Sequence, residues 1–131
     1  MYVYIEKKST NSTPYVLIDG SKNYMKLEGL SFHENAVEFY KDIIEGLQDY
    51  LETDFEKFTF DSQMKYFNSS TTKILFDMLD MMNDCAESGK KIIINWHVNK
   101  DDDLLIELCE DMQEDYEHLE INMIFAPPIK S

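Results

Sequence analysis

The spacing of hydrophobic residues changes along the chain between a period of two and a period near 3.6. Short β-rich or alternating runs occur at residues 2–8, 15–19, 23–28, 58–67, 91–96 and 119–125. A period of two puts alternate side chains on one face of a strand, so these runs predict β-strands. Turn residues at 19–22 join the second and third runs, which predicts a hairpin over residues 15–28 that ends at Gly29.

The run at residues 58–67 gives the longest predicted strand. Its apolar members share one parity, so we expect a single apolar face that consists of Phe58, Phe60, Met64 and Tyr66 together with Ser62. The run at residues 91–96 has three consecutive isoleucines at its centre. A continuous apolar run predicts a short buried strand, of the kind found in a sheet covered by helices.

Three stretches have the helical period. The first helical region begins at Ser31, with Glu34 in capping-box spacing, and its apolar stripe is Ala36, Val37, Tyr40, Ile43, Ile44, Leu47 and Leu51. The second follows residues 68–72 and stops at Gly89. The third spans residues 101–117, and its predicted buried positions are Leu104, Leu105, Leu108, Cys109, Met112 and Tyr116.

The predicted order of elements is βββαβαβαβ, which indicates the α/β class. Strands that alternate with helices favour parallel neighbours and right-handed crossovers. We therefore expect one mixed sheet with a hairpin and three helices, in which the segments 58–67, 91–96 and 119–125 are neighbours. We interpret residues 1–131 as a single domain in which Pro127 and Pro128 end the ordered part.

Charge narrows the classes of partner. The chain carries 26 Asp and Glu against 12 cations, all lysine, for a formal net charge of −14. Such a charge disfavours binding to nucleic acid or to an anionic membrane surface. The start of the chain lacks the charge order of a signal peptide, and no apolar run is long enough to span a membrane. With only Cys85 and Cys109, we predict a reduced, cytoplasmic protein.

Signatures of catalysis and of cofactor binding are absent from the sequence. Four glycines are too few and too scattered for a nucleotide-binding loop, and the three histidines form no catalytic pattern. Four residues with oxygen-bearing side chains match four positions of a calcium-binding loop; they are Asn99, Asp101, Asp103 and Glu110. The loop also requires a glycine, and that position is occupied by Leu104. These acids are better explained as helix-capping residues. We predict no metal, no cofactor and no enzymatic activity.

The third predicted helix is strongly acidic. Residues 101–120 contain ten acidic residues and no lysine. Two interpretations remain open, which are a solvated helix face and a docking surface for a basic partner.

The segment Asn68–Lys73 is the most informative one. It contains four consecutive hydroxyl residues where a strand passes into a helix. A single hydroxyl residue would serve as an N-cap, and four exceed that need. A phosphate at this position would lie against free N–H groups and the positive end of the helix dipole. The segment is therefore a candidate phosphorylation switch.

The run from Tyr66 to Lys73, followed by Ile74, Leu75 and Leu79, resembles the SiaC-type regulatory phosphoprotein family. Three further segments also resemble the family, and they occur at the corresponding places along the chain. They are Leu27–Ala36, Ile94–Trp96 and Asp101–Asp103. The resemblance covers about residues 15–125. It implies a STAS-like fold, similar to that of anti-sigma-factor antagonists, with a phosphorylatable hydroxyl at a strand-to-helix junction.

The resemblance also implies a function. Such a bacterial signalling protein is modified by a dedicated kinase and a PP2C-type phosphatase, and its unphosphorylated form binds and regulates a partner such as a diguanylate cyclase. The family's acceptor position corresponds to Ser69, with Ser70 and Thr71 as alternatives. Asn68, Lys73 and Trp96 are expected to support the site or to contact the partner. The alternative function is a small acidic ligand- or metal-binding module, or an enzyme that uses the third helix.

Overall fold

The strands follow one another across the sheet in the same order as along the chain. The computed structural model describes residues 2–126. Its elements are β1 Tyr4–Lys7, β2 Tyr15–Asp19, β3 Tyr24–Ser31, α1 Ala36–Leu51, β4 Lys57–Phe67, α2 Ser69–Glu87, β5 Lys91–Asn99, α3 Asp103–Asp115 and β6 Glu120–Ala126. The β1–β2 and β2–β3 pairs are antiparallel, and β3 to β6 are parallel. The α/β class, the element order and the neighbouring positions of the last three strands are confirmed.

Burial alternates along the central strands. Phe58, Phe60, Ser62 and Met64 of β4 are buried, and they contribute to a core that also includes the apolar stripes of the helices. The residues of opposite parity stay partly exposed. The strand predicted at residues 91–96 is confirmed as part of β5, but its residues of odd number are less buried than its even ones, because the helices cover one face of the sheet.

A β-bulge changes which residues are buried at the end of β4. Gly29 pairs with Met64 and Leu30 pairs with Tyr66, so Lys65 has no partner in the register between β3 and β4. The extra residue reverses the alternation beyond it. As a result Tyr66 is 54% exposed, which corrects the prediction that it belongs to the apolar face. Phe67 packs against the core in its place.

Strand β3 also runs past its predicted end. Gly29 adopts a φ of 117°, which glycine tolerates, and the strand continues to Ser31 instead of stopping. The predicted capping box at Ser31 is wrong for the same reason, because Ser31 is still a paired strand residue. Helix α1 begins later, where the side chain of Asn35 accepts a hydrogen bond from the N–H of Glu38 at 3.3 Å.

The helix stripes contain two exposed residues that periodicity placed inside. Val37 is 72% exposed and Leu104 is 79% exposed. Helix α3 begins at Asp103, and its buried stripe passes through Cys109 and Met112. Leu104 lies about 100° from Leu105, the first-turn residue that packs on the core. The predicted end of order at residues 127–128 lies outside the described residues.

Candidate functional site

The candidate site lies where the carboxyl ends of β3 and β4 meet the start of α2. Ser31 is the last residue of β3, and its carbonyl accepts a hydrogen bond from the N–H of Asn68 at 3.0 Å. This bond joins the residue before α2 to the neighbouring strand. The junction is therefore tied to β3 through the backbone, independently of any side chain.

Asn68 caps helix α2. Its backbone is extended, and its side-chain oxygen accepts a hydrogen bond from the N–H of Thr71 at 3.0 Å. The carbonyl of Asn68 accepts the first helical bond from the N–H of Thr72 at 3.0 Å. The Thr72 hydroxyl donates to the same carbonyl at 3.1 Å. Because Asn68 supplies the cap, the hydroxyls at 69 and 70 are not needed for it.

Thr71 connects the junction to the core. Its side chain is only 2% exposed, and its hydroxyl is 2.8 Å from the hydroxyl of Ser31. Ser31 is in turn 2.8 Å from the phenol oxygen of Tyr40 on α1. Burial raises the pKa of Tyr40 to about 12, and the hydrogen bond with Ser31 opposes that shift. Three buried hydroxyls thus link β3, α1 and α2, and we call them the hydroxyl chain.

Ser69 and Ser70 have the opposite environment. Both are exposed residues in the first turn of α2, and neither hydroxyl is hydrogen bonded within residues 2–126. Lys73 is exposed one helical turn after Ser69. The structure therefore brings Asn68, Ser69 and Lys73 together at one helix start and separates two accessible hydroxyls from the buried hydroxyl of Thr71.

Trp96 lies beneath this junction. It is buried on β5, and its ring is perpendicular to that of Phe67, with 6.1 Å between the ring centroids. Its indole N–H has no hydrogen-bond partner among the described residues. The side chain of Trp96 is not at the surface, and its expected support of the site stays a prediction.

Three exposed apolar residues border the junction, and sequence reasoning missed two of them. Phe32 and Tyr66 lie with their ring centroids 6.2 Å apart, and Leu30 is paired with Tyr66 in the sheet. We call Leu30, Phe32 and Tyr66 the aromatic edge. Ser31 and Tyr40 of the hydroxyl chain were missed too. The bonds of Ser31 span 9 and 40 residues, so no local pattern could signal them.

Of the residues with calcium-loop spacing, Asp103 lies in the first turn of α3, but the N-cap is Asp102, which is not one of them. The side chain of Asn99 accepts a hydrogen bond from the N–H of Asp101 at 2.9 Å. Asp102 caps α3 by accepting from the N–H of Leu105 at 3.2 Å. No group of three or more His, Cys, Asp or Glu side chains is placed to hold a metal ion in the part of the chain that the structure describes. None of the helices described there is long and apolar enough to cross a membrane.

Comparison with known proteins identifies the family. Residues 7–126 match the family described as SiaC family regulatory phosphoprotein. The chain belongs to the SiaC family. The family resemblance predicted from the segments around Asn68, Leu27 and Trp96 is therefore confirmed.

A curated relative and two solved structures give the range of similarity. An uncharacterised protein of Pseudomonas aeruginosa strain UCBPP-PA14 is 26% identical over 106 residues, which cover 81% of this chain and 84% of that protein. The crystal structure of apo-SiaC from Pseudomonas aeruginosa has a TM-score of 0.86 at 23% identity, covering 92% of this chain and 98% of the other. This likeness shows that the fold is shared.

The second structure contains a partner. It is the crystal structure of the diguanylate cyclase SiaD in complex with its activator SiaC from Pseudomonas aeruginosa, and its TM-score is 0.87 at 23% identity. The alignment covers 93% of this chain and 99% of the other. The SiaC-family fold is thus one on which a cyclase activator is built.

Proposed function

We propose that this SiaC-family protein is a non-enzymatic bacterial signalling phosphoprotein that works in the cytoplasm as one domain. Its acceptor is Ser69, and its unphosphorylated form binds and activates a partner of the diguanylate cyclase class. The observation that carries the proposal is the position of Ser69, an accessible hydroxyl directly after the capping Asn68 on a junction tied to the core. The family, which is one of regulatory phosphoproteins, supports the same assignment.

The start of α2 can accept a phosphate without refolding. Free N–H groups and the positive end of the helix dipole lie there, and Lys73 stands one turn further along the helix. The cap and the hydroxyl chain use Asn68 and Thr71 and do not involve the Ser69 hydroxyl. Phosphorylation would therefore change the charge of the surface and leave the fold intact.

Charge at this position would change partner binding. The aromatic edge offers a neutral, partly apolar contact surface in a molecule whose net charge is −14. A phosphate would bring close to two further negative charges to its border. We expect an apolar or acidic patch of the partner to be repelled by that change, so that modification switches binding off.

Access supports Ser69 and leaves Ser70 as the alternative. A kinase must be able to reach the hydroxyl that it phosphorylates, and both serines are exposed in the first turn of α2. Thr71, the other alternative, is buried and bonded to Ser31, so modifying it would require the junction to open. A dedicated kinase and a PP2C-type phosphatase complete the proposed cycle, as the family resemblance implies.

Intact-mass analysis and peptide mapping test the acceptor. Protein purified from its native host should carry one phosphate that phosphatase removes, and the modified peptide should map to Ser69. Ser69→Ala should abolish this mass shift, whereas the matched control Ser70→Ala should retain it. Because neither hydroxyl caps the helix, both variants should keep the free energy of unfolding within about 0.5 kcal/mol of the original. Phosphate mapped to Ser70 alone, or outside residues 68–72, would show the assignment to be wrong.

The partner is tested with a purified diguanylate cyclase from the same host. Unmodified protein and Ser69→Ala should raise the rate of cyclic-di-GMP synthesis, and phosphorylated protein should not. Ser69→Asp should give weaker activation than Ser69→Asn, its neutral match, although one carboxylate carries less charge than phosphate. Equal activation by phosphorylated and unmodified protein would refute the switch.

A further inference from the structure

A groove lies beside the start of α3, at the carboxyl ends of β4, β5 and β6. Its volume is about 960 Å³. We call it the α3 groove, and it is lined by Gln63–Lys65, His97–Asn99, Asp101–Leu105, Ile124 and Phe125. Neither Ser69 nor Ser70 lines this groove, so it is separate from the two exposed hydroxyls.

Three apolar side chains that line the groove are exposed to solvent. Leu104 is 79% exposed, Phe125 is 55% exposed and Ile124 is 37% exposed. Removing these apolar side chains from water would lower the free energy, so their burial by a partner would be favourable. Leu104 is notable because helical periodicity predicts it to be buried, whereas the fold leaves it at the rim of the groove.

The rim of the groove is acidic. Asp101, Asp102 and Asp103 line it, and the cation that lines it is Lys65. Within residues 2–126, none of these three carboxylates has a lysine or histidine nitrogen within 4.0 Å. These carboxylates are therefore not paired with a cation there, and they lie next to the exposed leucine and phenylalanine.

We propose that the α3 groove binds a basic amphipathic helix of a protein partner. An amphipathic helix places its apolar stripe in a groove of this kind and leaves its polar edges at the rim. Lysine or arginine residues along that edge would meet Asp101 and Asp103, which supplies both charge complementarity and orientation. The contact would add a second surface to the one at Ser69, and it does not depend on which hydroxyl is phosphorylated.

Charge argues against a second copy of the chain as the occupant. Each copy carries a net charge of −14, so two copies repel one another. None of the helices within residues 2–126 offers the required basic edge, since α1 and α2 have one lysine each, Lys41 and Lys73, and α3 has none. A separate protein with a basic helix is the occupant that complements both the apolar and the acidic parts of the groove.

A synthetic peptide tests this inference on the intact protein. The probe is a labelled peptide of about 20 residues with leucines at i, i+3, i+4 and i+7 and lysines beside them. A peptide of the same composition in scrambled order carries the same charge but has no apolar stripe. We expect the amphipathic peptide to bind at least about tenfold more tightly than the scrambled one, because the apolar groove adds to the attraction between opposite charges.

Matched variants locate the contact. Leu104→Ser and Asp101→Lys should each weaken binding by about tenfold, since they remove an apolar contact and reverse a rim charge. The controls are Val37→Ser, an equally exposed apolar residue on α1, and Glu114→Lys, which makes the same charge change outside the groove. Both controls should bind within about twofold of the original protein.

Backbone amide shifts of the unmodified sequence give a readout that needs no variant. Addition of the amphipathic peptide should shift the amides of residues 97–105 and 124–125 and leave those of α1 unchanged. Equal binding of both peptides, equal losses in the control variants, or shifts outside the groove would each overturn the inference. None of these results bears on phosphorylation of Ser69, so the two proposals fail or stand separately.

Discussion

The two neighbouring strand-to-helix junctions, β4–α2 and β5–α3, share one capping geometry and differ in their environments. Asn68 and Asp102 each accept a hydrogen bond from the N–H three residues later, at 3.0 and 3.2 Å. Beyond the cap, Thr71 of the first junction turns its hydroxyl into the core. In the second, Asp103 and Leu104 stay exposed.

Because of this difference, one junction carries a constant charge and the other can change its charge by phosphorylation. The β5–α3 junction is permanently negative through its aspartates, so its affinity for a basic segment is set by the sequence. The β4–α2 junction is hydrogen bonded to β3, carries no acidic residue from 68 to 73, and exposes two hydroxyls. Of the two junctions, the β4–α2 junction is the one whose charge can change strongly by phosphorylation, which fits the proposed role of Ser69.

The largest expected contrast concerns the support of each junction. Trp96→Ala should lower the free energy of unfolding by about 3–5 kcal/mol, because a buried indole and its contact with Phe67 are lost. Leu104→Ala at the other junction should change it by about 0.5 kcal/mol or less, since that side chain is exposed. Urea denaturation of both variants measures the difference. Similar losses would mean that the two junctions are equally anchored.

The hydroxyl chain should be the next most sensitive feature. Thr71→Val keeps the shape but leaves Ser31 without one of its partners, so we expect a loss of about 1–3 kcal/mol. Ser70→Ala, one residue away and exposed, should leave stability nearly unchanged. Phosphorylation of purified Thr71→Val should still map to Ser69. Loss of phosphate from a folded Thr71→Val protein would instead point to Thr71 as the acceptor.

Alkaline pH should weaken the same chain through Tyr40. Its folded pKa is about 12 against about 10 in the unfolded chain, so the unfolded state loses its proton first and stability falls as the pH rises above 10. At pH 11 this group alone should account for about 1.4 kcal/mol of lost stability. Denaturation of Tyr40→Phe between pH 9 and 11 should show a shallower fall than the original protein. Parallel curves would show that Tyr40 ionises equally in both states.

The smallest contrast concerns the caps themselves. Asn68→Asp should stabilise the fold by about 0.3–1 kcal/mol at low salt, and Asp102→Asn should destabilise it by a similar amount, because a negative cap interacts favourably with the helix dipole. Both changes keep the capping oxygen. Both effects should shrink in about 1 M salt, where charges are screened over about 3 Å. Salt-independent changes would indicate altered hydrogen bonding at the cap.

The sequence by itself determined the elements and their order. Hydrophobic period is a local property, so the alternation of Phe58, Phe60 and Met64 and the stripe of α1 sufficed to predict a strand and a helix where the structure has them. Parallel neighbours followed from the alternation of strands and helices. The segment Asn68–Lys73 likewise marked the junction of a strand and a helix, although the cap is Asn68 and not one of the hydroxyl residues.

Only the tertiary structure decided where the burial of side chains departs from those periodic patterns. The bulge at Lys65 depends on the pairing of β4 with β3, and it exposes Tyr66 and buries Phe67. The role of Thr71 depends on Ser31, 40 residues away, which no local pattern connects to it. Four adjacent hydroxyls were equivalent in the sequence, and they became distinct because long-range packing buried one and left two in water.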